Sequence, residues 1–193
     1  MADARPARPP KSIQGGVLVS RLAFIAQRGG PGAVERVLSR LTADDRKLLL
    51  GPLDHKGWYP FETGSRLDVA IATELGAGDA IFLEMGAQSA RDNLTASQRA
   101  FARERDPLAL LRGSAATYRA YYSSGRRTWE READRRVVLR TYDSETFSHA
   151  DCLTVVGWHK QAIEMCGGAN VRVTEVKCRV RGDDVCEYVC EWE

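Results

Sequence analysis

The sequence predicts an α+β fold in which N-terminal helices cover an antiparallel sheet of about four strands. Before Gly125, apolar side chains recur at the spacing of a helix, whereas after Gly125 the spacing shortens to about two residues. The elements of that last part follow the order β-β-α-β-β. Helices in one block and strands in another are typical of an antiparallel sheet packed against helices.

Six helices are expected before Gly125. Thr42 is suited to cap the third helix, and Asp106 with Pro107 to begin the last one. Glycine pairs or Gly-Pro steps separate several of them. The residues expected on their buried faces are Leu18, Leu22, Ile25, Val34, Val37, Leu38, Leu41, Leu67, Ala70, Ile71, Leu75, Ile81, Phe82, Met85, Leu108, Leu111, Tyr118 and Tyr122.

The C-terminal part is expected to contain two hairpins with a helix between them. Strands over 128–132 and 137–142 flank a turn, and strands over 171–181 and 185–192 flank an Arg-Gly-Asp-Asp loop. Ser148 is suited to cap the intervening helix, which runs to about Cys166 and ends at two glycines. Residues 1–13 are expected to be a flexible tail, and residues 14–193 a single domain that is mainly helical over 14–109.

Composition excludes several classes of protein. The chain has 28 Lys and Arg against 26 Asp and Glu, a net charge of +2, which gives no electrostatic reason to expect a nucleic-acid partner. No apolar run reaches the roughly 18 residues of a membrane span, and the N-terminus lacks the apolar core of a secretory signal. We therefore expect a cytoplasmic protein whose cysteines are thiols or metal ligands.

All five cysteines lie in the last part of the chain, and three of them are candidate metal ligands. Cys178 and Cys186 are on the two arms of the last hairpin, where an odd-numbered loop would place them directly opposite each other. Cys152 lies in the first turn of the preceding helix, where the helix dipole favours the thiolate. Two facing thiolates suit a tetrahedral Zn²⁺ ion, with Cys152 as the third ligand.

The fourth ligand and the metal itself are left open by this pattern. Glu132 and Glu130 on the first strand are candidates, and so is His149, three residues before Cys152. Alternatively the cysteines are small buried side chains of the core, because free cysteine is among the most buried residue types. Cys166 and Cys190 fit this second interpretation better than the first.

The C-terminal motifs resemble the 4-vinyl-reductase domain family. Glu175, Cys178, Gly182 and Cys186 fill its pattern E-x-x-C-x-x-x-G-x-x-x-C, after the run CLTVVGW that begins at Cys152. The resemblance covers residues 110–193. The upstream segments YRAYYSSGRR and GWYPFE resemble a myxobacterial-type paralogous family of unknown function that shares this C-terminal region.

The resemblance implies the fold of the ligand-binding domains of nitric-oxide sensing and Golgi transport, and regulation by a small molecule, often in a dimer. In the aromatic-sensing transcription activators of this family, three cysteines and a glutamate hold zinc. The three cysteine positions match Cys152, Cys178 and Cys186, and Glu132 is near the place of the glutamate, with Glu130 beside it.

Three functions are consistent with these observations. The first is a non-enzymatic regulatory module that binds a small apolar ligand, with Trp158 and Phe82 as pocket residues and a structural zinc ion. The second is a protein-interaction or dimerisation adaptor without a ligand. The third is a thiol-dependent enzyme that uses Cys152 with His149. The first is preferred, with a homodimer or a partner protein expected.

Overall fold

A computed structural model describes residues 9–193, which form nine helices and six strands. The helices are α1 (Gly15–Gly29), α2 (Ala33–Ser39), α3 (Ala43–Leu50), α4 (Phe61–Leu75), α5 (Ala80–Asn93), α6 (Ala96–Glu104), α7 (Pro107–Arg112), α8 (Ser114–Tyr121) and α9 (His149–Met165). The strands are β1 (Ser12–Gln14), β2 (Trp58–Pro60), β3 (Arg126–Ala133), β4 (Arg136–Tyr142), β5 (Arg172–Lys177) and β6 (Cys186–Glu191). The predicted α+β class is confirmed.

The main sheet has four antiparallel strands in the order β3-β4-β6-β5. Helix α9 connects its two hairpins, so the predicted order β-β-α-β-β is present. Ser148 caps α9 by accepting a hydrogen bond from the Asp151 backbone N–H at 3.1 Å. At the other end Gly167 has a φ of +87°, which a glycine adopts without strain.

A small second sheet joins the start of the chain to the aromatic turn. Strands β1 and β2 pair antiparallel, with Ile13 opposite Tyr59. Ile13 is buried. The tail predicted over residues 1–13 is therefore too long at its C-terminal end, because Ser12 and Ile13 already belong to the folded domain; residues 1–8 of that tail lie outside the described residues.

The helical part differs from the expectation at two places. Helix α6 was not predicted, because few of its residues are apolar; its start is stabilised instead by a capping box between Thr95 and Gln98. The helix expected from Asp106 to Tyr122 is divided into α7 and α8 at Gly113. Here the Gly113 N–H bonds the carbonyl oxygens of Ala109 and Leu110, which tightens the last turn of α7.

Two apolar cores meet at α9. One core fills the space between the C-terminal sheet, α7 and α9, and the other lies among the N-terminal helices. Val155 and Ile163 of α9 belong to the first core, and Ala150 of the same helix to the second. No helix within residues 9–193 is long and apolar enough to cross a bilayer.

Helix α9 packs most closely against α5, and two glycines make this approach possible. A Cβ atom at Gly157 would lie 2.1 Å from the Leu83 carbonyl oxygen, and one at Gly86 would lie 2.0 Å from the Thr154 carbonyl oxygen. Both distances are shorter than any real contact with a carbonyl oxygen. The separation of the two helices is therefore set by the absence of side chains at these positions.

The substitution Gly157→Ala is expected to destabilise the fold by about 2 kcal/mol or more, because a methyl group must push α9 away from the backbone of α5. For a chain of this length, that corresponds to a fall in Tm of roughly 4–8 °C. Denaturant unfolding followed by circular dichroism measures the change.

Gly113→Ala is the matched control, because a Cβ at Gly113 lies no closer than 3.3 Å to a neighbouring atom and the φ there is −75°. Its Tm should stay within about 2 °C of the unsubstituted chain, since a change at a half-buried position without a clash has a small effect. Equal losses in the two variants would contradict the close-approach explanation.

Candidate functional site

Three cysteines and one glutamate converge where α9 meets the last hairpin. The ligand atoms of Cys152, Glu175, Cys178 and Cys186 all lie within 4.8 Å of one another. The sulfur of Cys152 is 3.6 Å from that of Cys178 and 4.0 Å from that of Cys186. All three cysteines are buried.

The register of the last hairpin places its two cysteines opposite each other, one residue beyond the last pair of the ladder. Lys177 ends β5 and pairs with Glu187, so Cys178 and Cys186 are the next facing positions, and Cys186 also pairs with Thr141 of β4. This is the register that an odd-numbered loop centred on Gly182 gives. It results from a register shift between Glu175 and Lys177, without which Cys178 would face residue 185.

A short 3₁₀ turn over Arg179–Arg181 holds the Cys178 sulfur in place. The Asp183 carboxylate accepts a hydrogen bond from the Cys178 N–H at 2.7 Å, and the Asp183 N–H donates to the Cys178 carbonyl at 3.2 Å. The Arg179 N–H lies 3.5 Å from the Cys186 sulfur and donates to it. Backbone N–H groups directed at sulfur stabilise a thiolate.

The carboxylate of Glu175 has a free acceptor at this site. Its Oε2 accepts from Arg181 at 3.3 Å, whereas its buried Oε1 has no hydrogen-bond partner in the described structure. An unpaired buried carboxylate oxygen is costly unless a cation or donor satisfies it. Glu175 is therefore placed to offer an oxygen atom beside the three sulfurs.

The protonation of the cysteines is uneven without a metal. A hydrogen bond from the Cys152 thiol lowers the pKa of Cys186, and the same hydrogen bond raises the pKa of Cys152. Burial raises the pKa of Cys178. Cys186 is thus the thiol that ionises first, and the remaining two need a nearby cation to lose their protons near neutral pH.

The residues expected as a fourth ligand all lie elsewhere. Glu132 bonds Arg136 at 2.7 Å on the exposed side of β3, and Glu130 pairs with Arg140. His149 faces Asp79 with a distance of 3.0 Å. Glu132, Glu130 and His149 are therefore not beside the cysteines, and the carboxylate that lies beside them is that of Glu175. Glu132 and Glu130 are too distant because their strand β3 is at the sheet edge opposite to β5.

Glu175 had a signal in the sequence. It is the first residue of the E-x-x-C-x-x-x-G-x-x-x-C pattern, three positions before Cys178. The other two cysteines are packed in the C-terminal core, where burial raises the pKa of Cys166 to about 11 and of Cys190 to about 12.

A small, partly open cavity lies within about two helical turns of Cys152 along α9, and is lined by α1, α5, α8, α9 and the start of β3. Its volume is about 50 Å³. Trp158 lines it, as do Val17 and Val155. Phe82 does not line it. Phe82 is buried in the N-terminal core with its ring perpendicular to that of His149, 6.3 Å between centroids.

Two buried arginines also line the cavity, and neither is predicted by the sequence patterns. Arg21 donates from Nε to Asp68 at 2.7 Å, while its buried Nη1 has no partner in the described structure. Arg127 donates from Nε to Thr141 at 3.0 Å, and its guanidinium lies 4.8 Å from the ring centre of Tyr118. The two arginines are 3% and 6% exposed, which is rare for this residue type.

His159 forms a third polar part of the wall. Its Nδ1 bonds the Val155 carbonyl oxygen at 2.8 Å, so Nδ1 carries the proton and Nε2 is an acceptor. Burial, with a smaller effect of the charge on Arg127, lowers the pKa of His159 to about 3. The imidazole is therefore neutral at physiological pH.

Asp151 connects the cavity to the cysteine cluster. It precedes Cys152 on α9 and accepts a hydrogen bond from the Tyr122 hydroxyl at 2.8 Å, and Tyr122 lines the cavity. Burial raises the pKa of Asp151 to about 7. A void of about 10 Å³ lies between the two sites and touches Arg127 on one side and Cys152 and Cys186 on the other.

Comparison with known proteins identifies the fold. No family model matches the chain, and no curated protein matches it. The solved structures of H-NOX domains do match. The Fe(II) unliganded H-NOX protein from K. algicida is 12% identical, with a TM-score of 0.69 over 93% of this chain and 96% of that one.

Two structures from Shewanella oneidensis agree with this result. The H-NOX domain in the Fe(II)CO state is 14% identical, with a TM-score of 0.70 over 93% of this chain and 98% of that one. The H-NOX protein in the Fe(II)NO state is 15% identical, with a TM-score of 0.67 over 92% and 98%. The predicted resemblance to the nitric-oxide-sensing fold is confirmed, and the chain has the fold of H-NOX domains.

Proposed function

We propose that this chain is a non-enzymatic regulatory domain that binds a small molecule in its internal cavity and holds a structural zinc ion beside it. The observation that carries the proposal is the set of four buried ligand atoms within 4.8 Å of one another, supplied by Cys152, Glu175, Cys178 and Cys186. The fold shared with H-NOX domains supports the binding role. A homodimer and a cytoplasmic location stay predictions.

The donor set favours zinc over other metals. Three thiolates and one carboxylate make four protein ligands, the number that closes a structural tetrahedral site. Hard ions such as Mg²⁺ and Ca²⁺ prefer oxygen ligands. The unpaired Glu175 Oε1 and the N–H donor to Cys186 fit a site that is completed by a cation.

A haem does not fit the described cavity. Several of the similar structures are of Fe(II) states, and one of them concerns a haem redox potential. Here the cavity measures about 50 Å³, whereas sites for drug-sized ligands already measure roughly 300–1,000 Å³. His159, the one histidine on the cavity wall, is packed edge-on against Trp158 with 5.1 Å between ring centroids. We therefore propose no haem chemistry for this chain.

The thiol-enzyme alternative finds little support. Cys152 is only 2% exposed, and hydrogen bonding to Cys186 raises its pKa. His149 pairs with Asp79 at the surface and is not a hydrogen-bond partner of Cys152 in the described structure. A reactive cysteine needs access and a lowered pKa, so we propose a ligand role for Cys152.

The substitution Cys178→Ser is expected to reduce bound zinc from about one equivalent per chain to a small fraction, and to lower the Tm, because zinc binding contributes directly to folding. Elemental analysis of purified protein together with thermal unfolding measures both. Cys166→Ala is the control, since Cys166 lies at the C-terminal end of α9 and Cys152 in its first turn, and this variant should keep its zinc. Metal-free protein of unchanged stability would contradict the site.

A second pair of variants identifies the fourth ligand. Glu175→Gln should weaken zinc binding by more than about 100-fold, because losing a residue behind the ligands alone typically costs 10–100-fold. Glu132→Gln should leave the affinity unchanged, because Glu132 bonds Arg136. Competition with a chelator measures the two affinities. If the Glu132 variant loses zinc affinity and the Glu175 variant does not, the fourth ligand is Glu132 and not Glu175.

The neutral His159 is one reason why the free energy of unfolding should fall at acid pH. Its pKa is 6.5 ordinarily and about 3 in the folded chain, so between these values the unfolded chain binds a proton that the folded chain does not. Stability is therefore retained above pH 6.5 and lost as the pH falls. From pH 7.5 to 5.0 this histidine should remove about 2 kcal/mol.

The test compares the chain with its His159→Gln variant, both in the presence of zinc. The loss of stability between pH 7.5 and 5.0 should be about 2 kcal/mol larger for the unsubstituted chain. The two proteins must be compared because Asp151, whose pKa is raised to about 7, makes the folded state more stable as the pH falls. This contribution is the same in both proteins and cancels in the comparison. Parallel pH profiles would mean that His159 is charged in the folded state.

A further inference from the structure

We propose that the cavity binds a compact carboxylate, a short-chain organic acid whose charged end lies against Arg21 and Arg127. The inference rests on the proposed binding function and names the chemical class of its ligand. Both guanidinium groups line the cavity and both are buried. The positive charges of the two guanidinium groups are therefore largely shielded from water, and each needs a counter-charge or hydrogen-bond acceptors close by.

Arg127 lacks an anionic partner. No carboxylate oxygen of residues 9–193 is within ion-pair distance of it, although the ion pairs of the neighbouring Arg126 and Arg140 are present. Its neighbours are Thr141, which accepts from Nε, and the faces of Tyr118 and Tyr188. Ring faces and one hydroxyl compensate a buried guanidinium only in part, since a buried charge normally needs a counter-charge.

Arg21 lacks one hydrogen-bond partner. Asp68 accepts from Nε, but Nη1 is buried and unpaired in the described structure. Leaving a charged donor unsatisfied in the interior costs more than a neutral one. A carboxylate is the anion that matches the planar fork of an arginine, because its two oxygens accept parallel N–H bonds.

Most of the hydroxyl donors around the cavity already have an acceptor. The hydroxyls of Tyr121 and Tyr122 donate to the Asn93 carbonyl and to Asp151, and that of Tyr118 to the Ser124 carbonyl. The hydroxyls of Thr117 and Thr154 donate to backbone carbonyl oxygens. The donors left for a ligand are thus mainly those of the arginines, which favours an anion over a neutral alcohol or amide.

The size and the remaining wall favour a short organic acid. A cavity of about 50 Å³ has room for roughly three to five water molecules, at 10–15 Å³ each. Val17, Val155 and Trp158 supply apolar surface on the same wall. An inorganic oxyanion would leave this surface without a partner, whereas a chain of one to three carbons would cover it.

The test uses sodium acetate, propionate and butyrate as probes, with propionamide as the neutral isostere and sodium chloride at equal ionic strength. The full chain is used with its zinc content measured. At a hundredfold excess over its dissociation constant, a bound acid should raise the Tm by roughly 5–10 °C. Propionamide and chloride should produce less than a fifth of that shift.

Three variants locate the site. Arg127→Gln should weaken propionate binding at least about tenfold, as expected for the loss of a charged hydrogen bond. Arg126→Gln is the matched control, since Arg126 is exposed on the same strand and pairs with Asp143, and it should bind as before. Val17→Phe fills the cavity without changing its charge and should abolish the shift if it folds, which circular dichroism verifies.

The outcomes separate this inference from the proposed function. Equal shifts with propionate and propionamide, or unchanged binding in the Arg127 variant, would overturn the carboxylate assignment while leaving a small-molecule site. An absence of any shift with all three acids would overturn the carboxylate assignment as well, without deciding the broader binding role. The zinc content is independent of these results, so the metal site is judged separately.

Discussion

The close contact between α5 and α9 is the constraint on which the rest of the structure depends. With glycine at positions 86 and 157, the two backbones approach until a side chain on either helix would overlap a carbonyl oxygen of the other. This sets how deep α9 lies between the helical layer and the sheet. The depth matters because Cys152, Val155 and His159 follow one another at helical spacing on the side of α9 that faces the sheet. A single rigid helix therefore positions one end of the cysteine cluster and one wall of the cavity, which lie about 10 Å apart along its axis.

The two sites are also linked through polar contacts. Asp151 bonds Tyr122 of the cavity wall and is the residue before Cys152. Arg127 contacts the ring of Tyr188, and Tyr188 lies two residues after Cys186 on β6. A ligand beside Arg127 and a cation beside Cys186 would thus act on neighbouring parts of the same strand and helix. Because both sites are buried and closely packed, a change at one site would displace whole elements rather than single side chains. This arrangement is consistent with the regulatory role proposed above.

Much of the architecture follows from local sequence patterns. The change of apolar period at Gly125 identifies the helical and strand-rich parts, and the caps at Thr42 and Ser148 identify where helices begin. Helix α6 lacks an apolar stripe, and its sequence signal is the capping box of Thr95 and Gln98 alone, with Phe101 packed against the core. The first strand has none either, because Ile13 is one apolar residue among polar ones, and its partner strand β2 is far away in the sequence. Long-range pairing of a three-residue strand leaves almost no local signal.

Part of the candidate site was likewise predictable from the sequence and part was not. The grouping of Cys152, Cys178 and Cys186 was predictable, because the first turn of a helix packed on a hairpin lies close to the two arms of that hairpin. The contribution of Glu175 could not be obtained from strand alternation, since the register shift after it changes which side chains face α9. Arg21 and Arg127 were missed for another reason: a pattern analysis places arginine at the surface, and burial of a guanidinium is decided by tertiary packing alone. Burying an arginine lowers the stability of the fold. Natural proteins retain such unfavourable residues mainly at functional sites, where the group serves binding rather than folding.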